Sequence, residues 1–484
     1  MIVVGGGPSG SVVAHELARG GVDAVLLERA RFPREKVCGD YVEPRGIRIL
    51  QEMGCLVDVE AAKPVPIART SIFSDWECRY SGRIPFYGYI DGLTGHGYAI
   101  PRAQLDAALL DSAARAGATV HERTAVTEVS AGAQGVEVRA ERGSRRCRYL
   151  ARLVVGADGV HSAVARSQGL LVSDPRRTLI ARRAYANAET VDSENAIFFD
   201  ESLFPGYGWA FPLGDGRVNL GVGILSETRQ RVGAQVPALF EQFLAGLGRR
   251  YLGGERVELC SAPIGGIVKT YGGAGANHFT GGLLVGDAGC FVDPMTGEGI
   301  TPGMESALLA ARTLRAALEA GEFHAQRLAR FQTDFRAYFD PSMLYLDFCA
   351  AALRNRHLAR PWLKAFARGC ELAEGDGDFT RTVGSFFGGQ DLRPFDMLGA
   401  MWSRMLDDTL LAWPRLFSGR TRDPHATTPG DLLEWQVALA RSAVSDLRWH
   451  TGWLMDVQRQ WTRLMAAPRN GAQDPRAGGL LRDS

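Results

Sequence analysis

The chain has 484 residues, 46% of them hydrophobic, with 55 Lys+Arg against 54 Asp+Glu. That length and composition suffice for a buried core and two to four domains. A balance this even leaves no electrostatic footprint for a polyanion, so no nucleic-acid partner is expected.

The eight cysteines are scattered and form no CxxC pair, so neither a metal site nor a disulfide framework is expected. There is no apolar run of about 18 residues, so no integral membrane segment is expected. The N-terminus already reads as a strand and not as a signal peptide, and a cytoplasmic protein is expected.

Residues 1–4 read as a short buried strand, followed by "GGGPSG" (5–10) and a helix over Ser9–Arg19. Val12, Val13 and Leu17 are its packing candidates, and Gly21 ends it. "VDAVLLER" (22–29) reads as a second apolar strand. This is a βαβ opening with Gly5-x-Gly7-x-x-Gly10 at its turn. Glycines there permit a tight turn and close approach of a pyrophosphate to the helix N-terminus. Glu28 ends the second strand, where a carboxylate grips a ribose 2′-OH. The pattern points to FAD or NAD and away from NADP.

Further along, "RAQLDAALLDSAARAGA" (102–118) reads as an amphipathic helix and "HERTAVTEV" (121–129) as a strand. "RLVVG" (152–156) is an apolar strand leading into "ADGVHSAVAR" (157–166). "GGLLVGDAGCFVDPMTGEGITPGMESALLAARTL" (281–314) joins a strand, a glycine loop and a long helix. In that order, these segments resemble the FAD-binding superfamily of aromatic hydroxylases, geranylgeranyl reductases and flavin-dependent halogenases, over roughly residues 1–330. The resemblance implies an α/β Rossmann-like FAD-binding fold of the class A flavoprotein monooxygenase/reductase type. An antiparallel-sheet substrate domain and a helical C-terminal domain would accompany it.

FAD is the implied cofactor. The implied contacts are Gly5, Gly7, Pro8, Ser9, Gly10, Glu28, Arg29, Cys38, Gly39, Arg102, Val126, Asp158, Gly159, Gly286, Asp287, Pro294, Gly297, Gly299 and Ile300. Within that set, Arg102 would lie near the phosphates or ribityl chain and Val126 near the adenine. Asp287 would contact ribityl or ribose hydroxyls, and Pro294 would face the ring. The start of the helix after Gly299 would face the ring's pyrimidine edge, where its dipole favours negative charge.

The flavin domain is therefore expected to be discontinuous, at 1–60, 99–170 and 275–330. The inserts 61–98 and 171–274 form the expected substrate domain, and runs such as "NAIFFDES" and "RVNLGVGIL" read as antiparallel strands. Residues 331–470 carry helical periodicity, and the stretch 385–470 is expected to enclose substrate. The tail 471–484 reads as loose. Trp402, Trp413, Trp435, Trp449, Trp453 and Trp461 read mainly as packing residues.

"FPREKVCGDYVEPRGIRIL" (32–50) resembles the reductase group, with a cysteine–glycine loop beside flavin and substrate. Cys38 is either functional or a small residue in a crowded turn; Asp40 and Glu43 are the polar groups nearby. The halogenase loop is absent here, and the following stretch offers only Lys63, in a Pro-rich context, in place of the halogenase lysine. Tyr207, Trp209 and Phe211 alternate by two and share one face, which either lines an apolar tunnel or packs against another layer. The expected ligand is a hydrophobic polyene polyketide or a similar small molecule.

The reductase-like front, arginine-rich composition and added helices also resemble the dialkyldecalin synthases, flavin-containing [4+2] cyclases of antibiotic biosynthesis. That resemblance implies non-redox cyclisation of a linear polyene to a trans-decalin. The alternative is a FAD-dependent oxidoreductase, an alkene reductase or hydroxylase, acting on a hydrophobic polyketide or isoprenoid.

Overall fold

The computed structural model describes residues 1–84, 93–132, 135–188, 194–232, 235–252, 257–375, 380 and 429–466. The chain opens with β1 (Ile2–Val4), α1 (Pro8–Arg19) and β2 (Val25–Leu27). From an insert come β3 (Arg69–Ser74) and β4 (Glu77–Arg83), before α2 (Arg102–Arg115), β5 (Thr119–His121) and β6 (Val154–Gly156) return to the first layer. The larger insert holds β7 (Thr178–Asn187), β8 (Glu194–Phe199), β9 (Tyr207–Pro212), β10 (Arg217–Leu225), α3 (Val236–Arg250) and β11 (Ile264–Lys269). The hairpin β12 (His278–Phe279) and β13 (Gly282–Leu284) leads into α4 (Ile300–Ala320) and α5 (Ala325–Leu353). The last described helices are α6 (Ala359–Gly375), α7 (Pro429–Ser445) and α8 (Leu447–Ala466).

Two sheets organise these elements. The first runs β12-β13-β6-β1-β2-β5, parallel except for its terminal hairpin, with Ile2 opposite both Val25 and Val154. The pleat sends alternate side chains of β1 to two cores. Val3 packs with Val12, Leu17 and Met304 of the α1 and α4 layer, whereas Ile2 and Val4 pack with Val129, Val136 and Val138. Those last three belong to a three-stranded meander over 124–151 that covers the other face.

The second sheet runs β11-β7-β10-β9-β8-β3-β4. It is antiparallel apart from the β8–β3 pair, which brings the 61–98 and 171–274 inserts into one layer. Helix α3 packs on one face, its Phe240, Phe243 and Leu247 against Ala210, Val222 and Ile224. Period two then leaves Tyr207, Trp209 and Phe211 on the opposite face.

Several sequence expectations change. The 178–260 stretch is not strands alone, because Ser226–Val232 and α3 are helical. Segment 121–129 is not one strand: β5 ends at His121, Arg123 takes a φ of +53°, and the meander begins at Thr124. In the C-terminal region, α8 packs along α5, and the Trp453 indole donates to the Ala351 carbonyl at 2.9 Å. Trp435, Trp449 and Trp453 pack together with Trp362 around Leu358 and Ala438. Trp461 stays half exposed against Phe348. Trp402, Trp413 and most of the expected 385–470 enclosure lie outside the described residues, as does the 471–484 tail. No described helix is long and apolar enough to cross a membrane, and no described cluster of His, Cys, Asp or Glu would hold a metal ion.

Candidate functional site

The glycine loop connects β1 to α1. Gly5 has a φ of +101°, and a side chain there would strike the Ala157 carbonyl. A Cβ on Gly10 would run into Gly5, so the helix packs directly on its own loop. Gly7 is the N-cap of α1 and supplies no capping side chain, and Pro8 follows at the first position. The first amides of α1 are thus left for an external acceptor. The guanidinium of Arg34 lies 3.5 Å from where a Gly7 Cβ would be, and pairs with buried Asp106 at 3.1 Å.

Glu28 is 4% exposed at the end of β2. Its two oxygens accept from the Gly6 and Ala30 amides, each at 2.7 Å. One carboxylate therefore shapes both the glycine loop and the turn after β2. Arg29 points outward and is exposed, and half-buried Val126 lies on the meander strand.

Asp158 turns inward to its own helix. It accepts from the Ser162 hydroxyl at 2.5 Å and the Ala163 amide at 2.6 Å, closing the turn beneath Gly5 that Gly159 permits with a φ of +76°. Arg102 is also committed: it is 3% exposed and holds Asp106 with two bonds of 2.7 and 2.8 Å. Its charge reaches Cys38, whose thiol it acts to lower against the larger upward push of burial.

The second half of the cradle starts at Gly286, where a side chain would collide with Ser9. The Ser9 side chain also abuts Gly303, so α1, the Gly286 turn and α4 meet at one small residue. Asp287 pairs with Lys36 at 3.2 Å. Beyond Pro294, Asp293 accepts from the Met295 and Thr296 amides at 2.7 and 2.9 Å, and Gly297 takes a φ of +71°. Gly299 caps α4 without a side chain, and Ile300 begins the helix.

These residues fit FAD. An uncapped helix start over a side-chain-free loop suits a pyrophosphate, and a carboxylate at the β2 terminus suits a ribose diol. Asp287 and the start of α4, whose Thr301 amide donates to Glu298 at 2.8 Å, stand together at the other end, the Gly299 Cβ position being 3.4 Å from Asp287 Oδ1.

Across from that loop stands the aromatic face of β9. Tyr207 and Trp209 have ring centroids 6.0 Å apart, and Trp209 and Phe211 6.4 Å. The Tyr207 hydroxyl donates to the Thr296 carbonyl, joining this wall to the Pro294 loop. The Cys38–Gly39–Asp40 loop lies on the same wall, with Gly39 against Phe211 and Trp209.

One buried amide holds the arrangement. Asn219 accepts from the Trp209 indole at 3.0 Å and donates to the Cys38 carbonyl and to Asp40 Oδ2, both at 2.8 Å. The Tyr185 hydroxyl donates to the same Asp40 oxygen at 2.7 Å. Glu43, expected with Asp40 near Cys38, pairs with Arg45, which also holds Glu305, in a buried cluster within electrostatic reach of Asp293 and Glu298 of the Pro294 loop. Burial pushes the Glu43 carboxyl up to about 7.

Burial also pushes the Asp40 carboxyl up to about 6 from 3.8 and the Cys38 thiol upward. A raised acid favours the fold while it is protonated in both states. The unfolded chain releases that proton first, so this contribution fades between pH 3.8 and about 6. Urea denaturation of the wild type and Asp40→Asn should therefore diverge across that window. The wild type should lose about 3 kcal/mol relative to the variant as pH rises. Parallel curves would mean that Asp40 titrates normally.

Sequence reasoning missed Arg34, Lys36, Asp106, Tyr185 and Asn219. For Asn219 a signal existed: it is a lone amide in the apolar run "RVNLGVGIL", and a buried amide needs partners. Arg34, Lys36 and Tyr185 act through long-range contacts that local pattern does not encode, whereas Asp106 stands one helical turn after Arg102.

Comparison with known proteins places this geometry. Residues 1–202 match the model of the FAD binding domain family. A menaquinone reductase of Mycolicibacterium smegmatis is 35% identical over 328 residues, 65% of this chain and 76% of that protein. A digeranylgeranylglycerophospholipid reductase of Methanopyrus kandleri is 29% identical over 71% of this chain and 84% of its own length. The crystal structure of a geranylgeranyl bacteriochlorophyll reductase-like protein from Thermoplasma acidophilum superposes with a TM-score of 0.68 at 21% identity, over 83% of this chain and 98% of that one. The chain belongs to the FAD-binding flavoprotein family of these reductases, with the class A flavoprotein fold and FAD as its cofactor.

Proposed function

We propose that this protein is a FAD-dependent oxidoreductase that saturates a carbon–carbon double bond in an elongated hydrophobic substrate. The observation that carries the reading is the Cys38–Gly39–Asp40 loop, fixed by Asn219 to the Tyr207–Trp209–Phe211 wall opposite the Pro294 loop. The reductase names of the two sequence relatives support it. Gly5, Gly7, Gly10 and the α1 amides would bind the pyrophosphate under Arg34. Glu28 would hold the adenosine ribose and Asp287 the ribityl chain. Bound FAD, once reduced by an external two-electron donor, would supply the hydride.

The remaining work falls to the chain. The aromatic rings would align an unsaturated chain and exclude water. The Cys38 thiol, held protonated by burial, would give its Sγ proton to the carbon opposite the one that takes the hydride, and solvent would then reprotonate it. Helix α6 reaches the same wall through Phe366, whose ring is 4.8 Å from Phe199, itself 6.0 Å from Tyr207. Enclosure from the C-terminal side would thus begin at α6, upstream of the 385–470 stretch.

A second reading is intramolecular [4+2] cyclisation of a linear polyene to a trans-decalin. The continuous aromatic wall favours it, because proximity and orientation alone lower such a barrier, by about 7–11 kcal/mol at the extreme. Product mass from FAD-loaded protein incubated anaerobically with polyprenyl or polyene substrates separates the two. A gain of two hydrogens that requires a reductant is the expected result. An isomer formed without reductant overturns it in favour of cyclisation.

A further inference from the structure

Against Pro294 and the last described helix lies a cleft of about 200 Å³. Pro294 forms part of its wall, together with residues of α5, α8 and the 175–177 turn. Among the described lining residues, five arginines stand against two aspartates.

The acids are already shared. Arg177 grips Asp347 with two bonds of 2.8 Å, and Arg463 is 3.6 Å from the same carboxylate. Arg354 takes Asp456, leaving Arg176 and Arg459 no closer to it than 3.8 and 3.9 Å. Two acids outside the wall, Asp174 and Glu227, engage Arg176 and Arg354 at 2.8 and 3.4 Å. Even with these included, the arginines outnumber the carboxylates. The Arg354 side chain is only 5% exposed, yet its Nε has no hydrogen-bond partner among the described residues. A buried donor left without an acceptor is costly, so the arginine cluster is not fully neutralised by the carboxylates around it.

We propose that this cleft is a binding site for the phosphate or diphosphate group of an anionic ligand. Guanidinium forks match phosphate oxygens in pairs, and a half-buried setting screens them less than open surface does. A neighbouring cavity of about 310 Å³ shares Gly272 and Arg463 with the cleft, which gives room for the rest of such a ligand. Two sources carry this chemistry: a nucleotide that serves as electron donor, or a hydrophobic substrate with a diphosphate head. The site stands independently of the reaction, because binding here is read without turnover.

The test is calorimetric titration of the FAD-loaded full chain with inorganic pyrophosphate. Wild-type protein should bind it, more weakly as salt rises. The Arg459→Ser, Arg463→Ser double variant alters partly exposed side chains and should bind at least ~10-fold more weakly. The Arg459→Lys, Arg463→Lys pair keeps charge without the fork and should fall between the two. Competition by NADPH assigns the site to a nucleotide, and competition by a polyprenyl diphosphate assigns it to substrate. Absence of binding at millimolar pyrophosphate, or equal affinity in wild type and the serine variant, overturns the proposal.

Discussion

A Glu28→Ala protein should leave gel filtration largely stripped of flavin, with the FAD dissociation constant raised about 10- to 150-fold. The carboxylate is 4% exposed, and it organises two loops through the Gly6 and Ala30 amides before any ligand contact is counted. Alanine would leave both donors without their acceptor and remove the group placed to take the ribose hydroxyls. Hydrogen bonds to a charged partner contribute about 1.5–3 kcal/mol, which sets that range. The flavin-to-protein ratio after chromatography reads the effect. A ratio equal to wild type would remove Glu28 from the cofactor's grip.

Asn219→Leu should cost about 3–5 kcal/mol of stability. The side chain is fully buried and makes three hydrogen bonds, to Trp209, Cys38 and Asp40. Leucine has similar bulk but satisfies none of them, so an indole N–H and a backbone carbonyl would be stranded inside the protein. Asp40 would keep only the Tyr185 hydroxyl. Urea denaturation measures the loss. A change below about 1 kcal/mol would show that the loop is held by packing alone.

The first half of the site was legible because its physics is local. A βαβ turn that brings backbone to a pyrophosphate needs glycines at fixed spacing, and Gly5, Gly7 and Gly10 stand as that geometry requires. The same holds for the Gly286 turn and Gly297. The alternation of Tyr207, Trp209 and Phe211 likewise gave their common face.

The rest depended on distant partners. Asp158 matched a family motif, yet its oxygens close their own helix. Glu43 lies three residues after Asp40, but its carboxylate is taken by Arg45, a pairing the motif does not mark. Helix α3 was hidden in a stretch read as strands, because the β10 run just before it carried the stronger apolar pattern. The β8–β3 pairing joins segments more than a hundred residues apart, so no local window contains it.

The most direct test of the account is a single turnover. FAD-loaded protein is reduced anaerobically, mixed with a polyprenyl or polyene substrate, and followed by flavin absorbance and product mass together. The account predicts flavin reoxidation in step with a product heavier by two hydrogens, slowed when Cys38 is replaced by serine. Flavin that stays reduced while the substrate is converted to an isomer of unchanged mass would contradict it.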